Sequence, residues 1–187
     1  MEKIILITGK SGSGKSYFAK LLSQKLNCPV LDIDKIGHKI YENKQVYKKV
    51  VSTFKNVETN NIIDTKKLGE IVFSDSKKMQ LLEEITWEEM LKIINTEIKK
   101  HPTIILDWAL LPKTELWQNG IKVLVTAEQI LRKQAILKRD NISESYFDLR
   151  EQNSLDYTKF NYDFVIENDY CNLEEKTNLI TNYLKEN

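Results

Sequence analysis

The sequence predicts an α/β protein with a mainly parallel five-stranded sheet covered by helices on both faces, and three observations carry that reading. Residues 9–16 read GKSGSGKS directly after the apolar run of residues 4–7. Short apolar runs then alternate with helical patterns to the end of the chain. A length of 187 residues suits one domain with a substantial core.

The first strand is Lys3–Thr8, and the stretch after it matches the phosphate-binding pattern G-x-x-x-x-G-K-[ST] at every fixed position. Gly9, Gly12 and Gly14 admit backbone conformations closed to residues with a Cβ, so successive N–H groups can turn onto one anion. The helix that follows adds the positive end of its dipole. This places Lys10, Ser11, Ser13 and Tyr17 around the phosphates of a nucleoside triphosphate. Lys15 would reach the β- and γ-phosphates, and Ser16 would ligate Mg²⁺.

Phe18, Leu21, Leu22, Lys25 and Leu26 give the first helix a stripe at three- and four-residue spacings for packing on the sheet, and Asn27 and Pro29 end it. Val30 and Leu31 form a short second strand running into Asp32-Ile33-Asp34. Strand alternation would point Asp32 and Asp34 to the same side, at the carboxyl edge where open α/β sheets bind ligands. Residues 35–54 read as helical. Asp64 is a plausible N-cap for a helix over Thr65–Phe73, and a longer helix covers residues 76–100 until His101-Pro102 stops it. This block holds more helix than one crossover needs, which makes part of it a substrate-binding insertion within a single domain spanning residues 1–187.

The third strand, Thr103–Asp107, ends in an acid. The fourth covers residues 121–125, and the helix after it, residues 127–139, carries Ile130, Gln134 and Leu137 on one side. A helix over residues 143–153, a strand over residues 164–166 and a closing helix over residues 173–184 complete the chain.

Lys and Arg number 28 against 27 Asp and Glu, leaving a formal charge of +1. That balance argues against a general nucleic-acid or membrane-surface binder and allows an anionic small molecule held by a few local cations. Cys28 and Cys171 lie far apart in sequence, as thiols of a reducing cytosol do. The chain enters a strand at once, without a signal peptide, and no apolar run approaches the ~20 residues of a membrane span. The cytoplasm is the expected location.

A phosphate loop alone does not separate kinases from other nucleotide-binding proteins. A small-molecule kinase also needs a base on the acceptor side and cations over the transferring group, since catalysis there is mostly positioning and charge stabilisation. Asp32, Asp34 and Asp107 are the carboxylate candidates, with Asp107 expected on the acceptor side, and His38, four residues after Asp34, shares its helix face. Arg132, Lys133, Lys138, Arg139 and Arg150 are the cationic candidates, with Arg139 first because it stands where the helix gives way to a turn. From the residues alone, a kinase of a nucleoside, nucleotide or other small molecule and a non-catalytic nucleotide switch both stay open.

The chain resembles dephospho-coenzyme A kinase nearly end to end. GKSGSGKS is similar to that family's phosphate loop, DIDKIGH at residues 32–38 to its Asp-x-Asp followed by histidine, and residues 63–75 to its second motif. Lys138-Arg139-Asp140, Gln152 and residues 163–168 are similar to its later motifs. The resemblance implies a P-loop kinase-like fold with a helical coenzyme A region near residues 35–100 and a lid near residues 139–150. It implies MgATP as donor and the ribose 3′-hydroxyl of dephospho-coenzyme A as acceptor. It assigns the base to Asp32, acceptor contacts to Asp34 and His38, and a place near the adenine to Asn168. Departures fall at Thr65, Thr86, Trp87 and Lys113, where the family usually has other residues, several of them on the acceptor side.

Overall fold

The computed structural model describes residues 3–186; residues 1, 2 and 187, the outermost positions of the expected domain, lie outside the described residues. The chain forms two compact units, Ile33–Glu97 and the remainder. In the larger unit a sheet runs in the order β2-β5-β1-β6-β7, with all neighbours parallel. Its strands are β1 (Lys3–Thr8), β2 (Val30–Asp32), β5 (Thr103–Asp107), β6 (Ile121–Thr126) and β7 (Phe164–Glu167).

The centre of the sheet is apolar on both faces, as parallel sheets require when helices cover both sides. Ile5 and Ile7 of β1 share one face with Ile105, Val123, Val125 and Ile166, and all are buried in one cluster. Phe18, Ala19 and Leu22 of α1 (Lys15–Leu26) close that face, together with Leu173 and Ile180 of α8 (Leu173–Glu186). Each such side chain stabilises the fold by about 1.5–3 kcal/mol. Truncating Leu22 to alanine, which also leaves a cavity, costs about 2–5 kcal/mol. The predicted stripe on the first helix packs through Phe18, Leu21, Leu22 and Leu26, whereas Lys25, expected in it, is exposed and donates to the Glu174 carbonyl and the Asn178 side chain.

The helical unit holds α2 (Ile33–Lys39), α3 (Lys44–Thr53), a hairpin of β3 (Glu58–Thr59) and β4 (Ile62–Ile63), α4 (Thr65–Phe73) and α5 (Ser76–Ile98). Asn43 caps α3 by accepting from the N–H groups of Gln45 and Val46, and Asp64 caps α4 through Lys66 and Lys67. Val46, Val50, Leu68, Val72, Met90 and Ile94 are its buried apolar side chains. Thr86, a departure from the resembled family, is buried and donates to the Leu82 carbonyl one turn back in its own helix.

Three expectations need correction. The strand ends at Asp32 and α2 begins at Ile33, so Asp34 lies in the first turn of a helix and does not follow Asp32 by strand alternation. Residues 58–63 form a β-hairpin, an element additional to the five expected strands. Its turn residues Asn60 and Asn61 have φ of 53° and 61°, the left-handed pair a tight hairpin turn demands. On α6 (Gln129–Asp140) the buried residues are Arg132 and Ile136, while Ile130 is 69% exposed. An apolar-periodicity reading gives the wrong face because that helix buries a charge.

Candidate active site

The phosphate loop joins β1 to α1 along the carboxyl edge of the sheet. Gly14, at the head of α1, has φ of 86°, and a Cβ there would lie 2.2 Å from the Asn168 side-chain nitrogen. Gly9 has φ of 147°, and a Cβ there would lie 2.2 Å from the Val125 carbonyl oxygen. Only glycine meets both demands. No side chain caps α1, and its first turn holds no acid. Its leading N–H groups lack the side-chain acceptor that Asn43, Asp64 and Ser143 give to α3, α4 and α7 (Glu144–Gln152). That arrangement favours an anion at this helix end.

Two carboxylates share the same sheet edge. Asp32 and Asp107 are register partners across the β2–β5 pair, at the last residues of both strands. Asp107 is 3% exposed and Asp32 half-buried. Thr8, at the end of β1, donates its hydroxyl to the Ala109 carbonyl at 3.0 Å, and Tyr157 donates to the same oxygen at 2.8 Å. Both bonds hold the backbone just beyond Asp107.

The loop is also held from outside. Arg132, 4% exposed, donates to the Ser11 carbonyl at 3.2 Å and to the Ala127 carbonyl at 3.3 Å. Its fork meets the Glu151 carboxylate through two bonds, at 3.0 and 2.8 Å. Glu151 takes Lys10 as a second cation, so the Lys10 side chain is held on α7. Hydrogen bonding from Arg132, then from Lys10, keeps the Glu151 carboxyl below its ordinary range despite partial burial. Asn168, 3% exposed, donates to the Ser13 carbonyl at 2.9 Å, and the Tyr170 hydroxyl donates to the Gly12 carbonyl at 2.9 Å.

The remaining candidates are distributed as follows. Lys15 and Ser16 open α1, and Tyr17 beside them is exposed. Asp34 and His38 sit four residues apart on α2 of the helical unit, both exposed. Arg139 lies in the last turn of α6 with an exposed side chain paired to Asp140 at 2.6 Å. Lys133 pairs with Glu144 and Asp148 of α7, and Arg150 lies 3.5 Å from Asp140. Trp108 and Trp117 are both buried. Tyr170 and Glu151 were not singled out from the sequence. Each acts on a residue more than a hundred positions away, beyond the reach of local pattern.

Among known proteins, the family model described as dephospho-CoA kinase matches residues 3–174. A dephospho-CoA kinase of Aquifex aeolicus is 35% identical, with 89% of this chain and 88% of the relative covered. One from Fusobacterium nucleatum is 34% identical, with 92% of each covered. A solved structure from Thermus thermophilus superposes with a TM-score of 0.82 at 25% identity, covering 98% of this chain and 97% of that one. Dephospho-CoA kinase from Campylobacter jejuni superposes with a TM-score of 0.58 at 20% identity, covering 97% of each chain, which is likeness of fold. The five-stranded parallel α/β fold predicted from the sequence is the fold of phosphate-loop kinases.

Proposed function

The chain belongs to the dephospho-coenzyme A kinase family, and we propose that its phosphate loop and strand-end carboxylates transfer the γ-phosphoryl group of ATP to the ribose 3′-hydroxyl of dephospho-coenzyme A. The activity is that of a kinase, ATP-dependent phosphorylation of dephospho-coenzyme A to coenzyme A. The observation that supports the residue assignment is the uncapped N-terminus of α1 behind GKSGSGKS, on the sheet edge that also carries Asp32 and Asp107.

In this reading the loop N–H groups and Lys15 bind the β- and γ-phosphates, and Gly9, Ser11, Gly12, Ser13 and Gly14 shape the cradle. Asp32 accepts the proton of the attacking hydroxyl, and Arg139, in the last turn of α6, supplies charge to the phosphoryl group in flight. Asp34 and His38 are assigned acceptor contacts on the strength of the family likeness.

The donor set fits Mg²⁺. The Ser16 hydroxyl and the Asp107 carboxylate are hard oxygens, and Asp107 ends the strand beside β1, where phosphate-loop enzymes keep a metal-holding acid. We therefore give Asp107 to the metal in preference to the acceptor. Mg²⁺ held by Ser16 and Asp107 would supply positive charge that offsets the charge of the donor phosphates. The partner is a small molecule. Cys28 and Cys171 are both free thiols, which supports a cytoplasmic location; no helix among the described residues is long and apolar enough to cross a membrane.

The deciding experiment is a coupled assay of ADP release with purified protein, MgATP and a panel of adenosine-containing acceptors. Dephospho-coenzyme A is expected to be preferred. No turnover at millimolar concentration would overturn the assignment, and preference for another acceptor would move it to a different nucleotide kinase.

A further inference from the structure

Three consecutive carbonyls of the phosphate loop, those of Ser11, Gly12 and Ser13, each accept a hydrogen bond from a distant side chain. The donors are Arg132, Tyr170 and Asn168 in that order. A trans peptide is planar, so the carbonyl of one residue and the N–H of the next point to opposite sides. Tethering these carbonyls outward therefore turns the N–H groups of Gly12, Ser13 and Gly14 away from the tethers. The Ser13 N–H meets the Lys10 carbonyl at 3.1 Å, which leaves Gly12 and Gly14 as the donors presented most directly. An untethered peptide could rotate and aim its carbonyl, the negative end of its dipole, at the anion.

Two of the three tethers are maintained at a cost that packing alone does not explain. Arg132 is a buried cation, retained with a partner carboxylate and two carbonyls around it. Tyr170 has φ of 62°, a left-handed conformation that is a genuine outlier for a bulky residue. Its own N–H donates to the Asn168 side-chain oxygen at 2.9 Å, so Asn168 holds Ser13 with one end of its amide and Tyr170 with the other.

We propose that Arg132, Tyr170 and Asn168 form an outer brace that holds the phosphate loop in its anion-binding conformation, which makes them positioning residues for the donor phosphates. The brace rests on the reading of residues 9–16 as the ATP site. It acts on the phosphates and is indifferent to the base.

The test is titration calorimetry of the full chain with MgATP and, separately, with magnesium tripolyphosphate, which has no nucleoside. Tyr170→Phe removes one hydroxyl from a side chain in a residue that is 48% exposed, and its melting temperature is expected to stay at the wild-type value. It weakens both ligands by the same factor, about three- to tenfold, the net worth of one hydrogen bond. The rate at saturating ATP changes far less than the KM for ATP. Arg132→Met combined with Glu151→Gln leaves no unpaired buried charge and weakens both ligands at least as much, while Arg132→Lys recovers part of the loss. Unchanged tripolyphosphate affinity in Tyr170→Phe would overturn the brace, and loss for ATP alone would assign Tyr170 to the nucleoside instead. Wild-type protein that binds neither ligand would overturn the donor reading, and the brace with it.

Discussion

Asp32 and Asp107 are lateral neighbours at the ends of two adjoining parallel strands, so their side chains leave the same face of the sheet edge. Two carboxylates in one place invite a division of labour. Asp32→Asn should lower kcat by about 10²–10⁴-fold with little change in the KM for ATP, because a base acts on the acceptor. Asp107→Asn should instead raise the Mg²⁺ concentration needed for half-maximal rate. Steady-state kinetics over ATP and Mg²⁺ separate the two, and an Asp32→Asn loss confined to ATP binding would make Asp32 a metal or nucleotide contact.

Lys15→Ala should reduce the rate by on the order of 10²-fold or more, since it removes a preorganised cation from the donor phosphates. The same kinetics check it. An unchanged rate would place the donor elsewhere.

Gly14→Ala should destabilise the protein and weaken ATP binding together. A left-handed alanine costs about 1–2 kcal/mol, and the new methyl group meets Asn168 at 2.2 Å. Thermal melts and ATP titration measure the two effects. The Asn168 amide cannot keep its bond to Ser13 and make that room, so a stable variant with wild-type ATP affinity would count against the packing described.

Glu151→Gln should lower stability in a pH-dependent way. The folded Glu151 carboxyl titrates below its unfolded value, so its contribution is present above the unfolded pKa of about 4.3 and is lost as pH falls through the lower folded value. Wild type and Glu151→Gln should therefore melt apart at neutral pH and converge in acid. A constant difference across that range would show that the charge is not what matters.

Much of the fold was legible because its signals are local. The phosphate loop, the acid at the end of the third strand and the N-cap Asp64 are each written within a few residues. Asp34 was misplaced because strand and helix compete over a three-residue strand, and the helix claims everything after Asp32. Asn60-Asn61 was a readable hairpin turn between two very short strands. The brace was not legible. Arg132 looked like one of several basic residues on a solvated helix, and only the fold brings Ser11 and Glu151 to it. Tyr170 stands in a turn whose backbone conformation nothing in its side chain announces.

One property of α1 reaches beyond catalysis. Asn43, Asp64 and Ser143 finish their helices from within the chain, whereas α1 begins on a glycine and carries no such residue. In the proposed donor reading, the phosphate of ATP takes the place of that cap. Folding and donor binding are therefore linked, and nucleotide at a hundred times its dissociation constant adds about 2.7 kcal/mol to the stability of the fold. On that reading, the melting temperature of this protein should rise with the concentration of its donor, which a thermal melt over an ATP series measures.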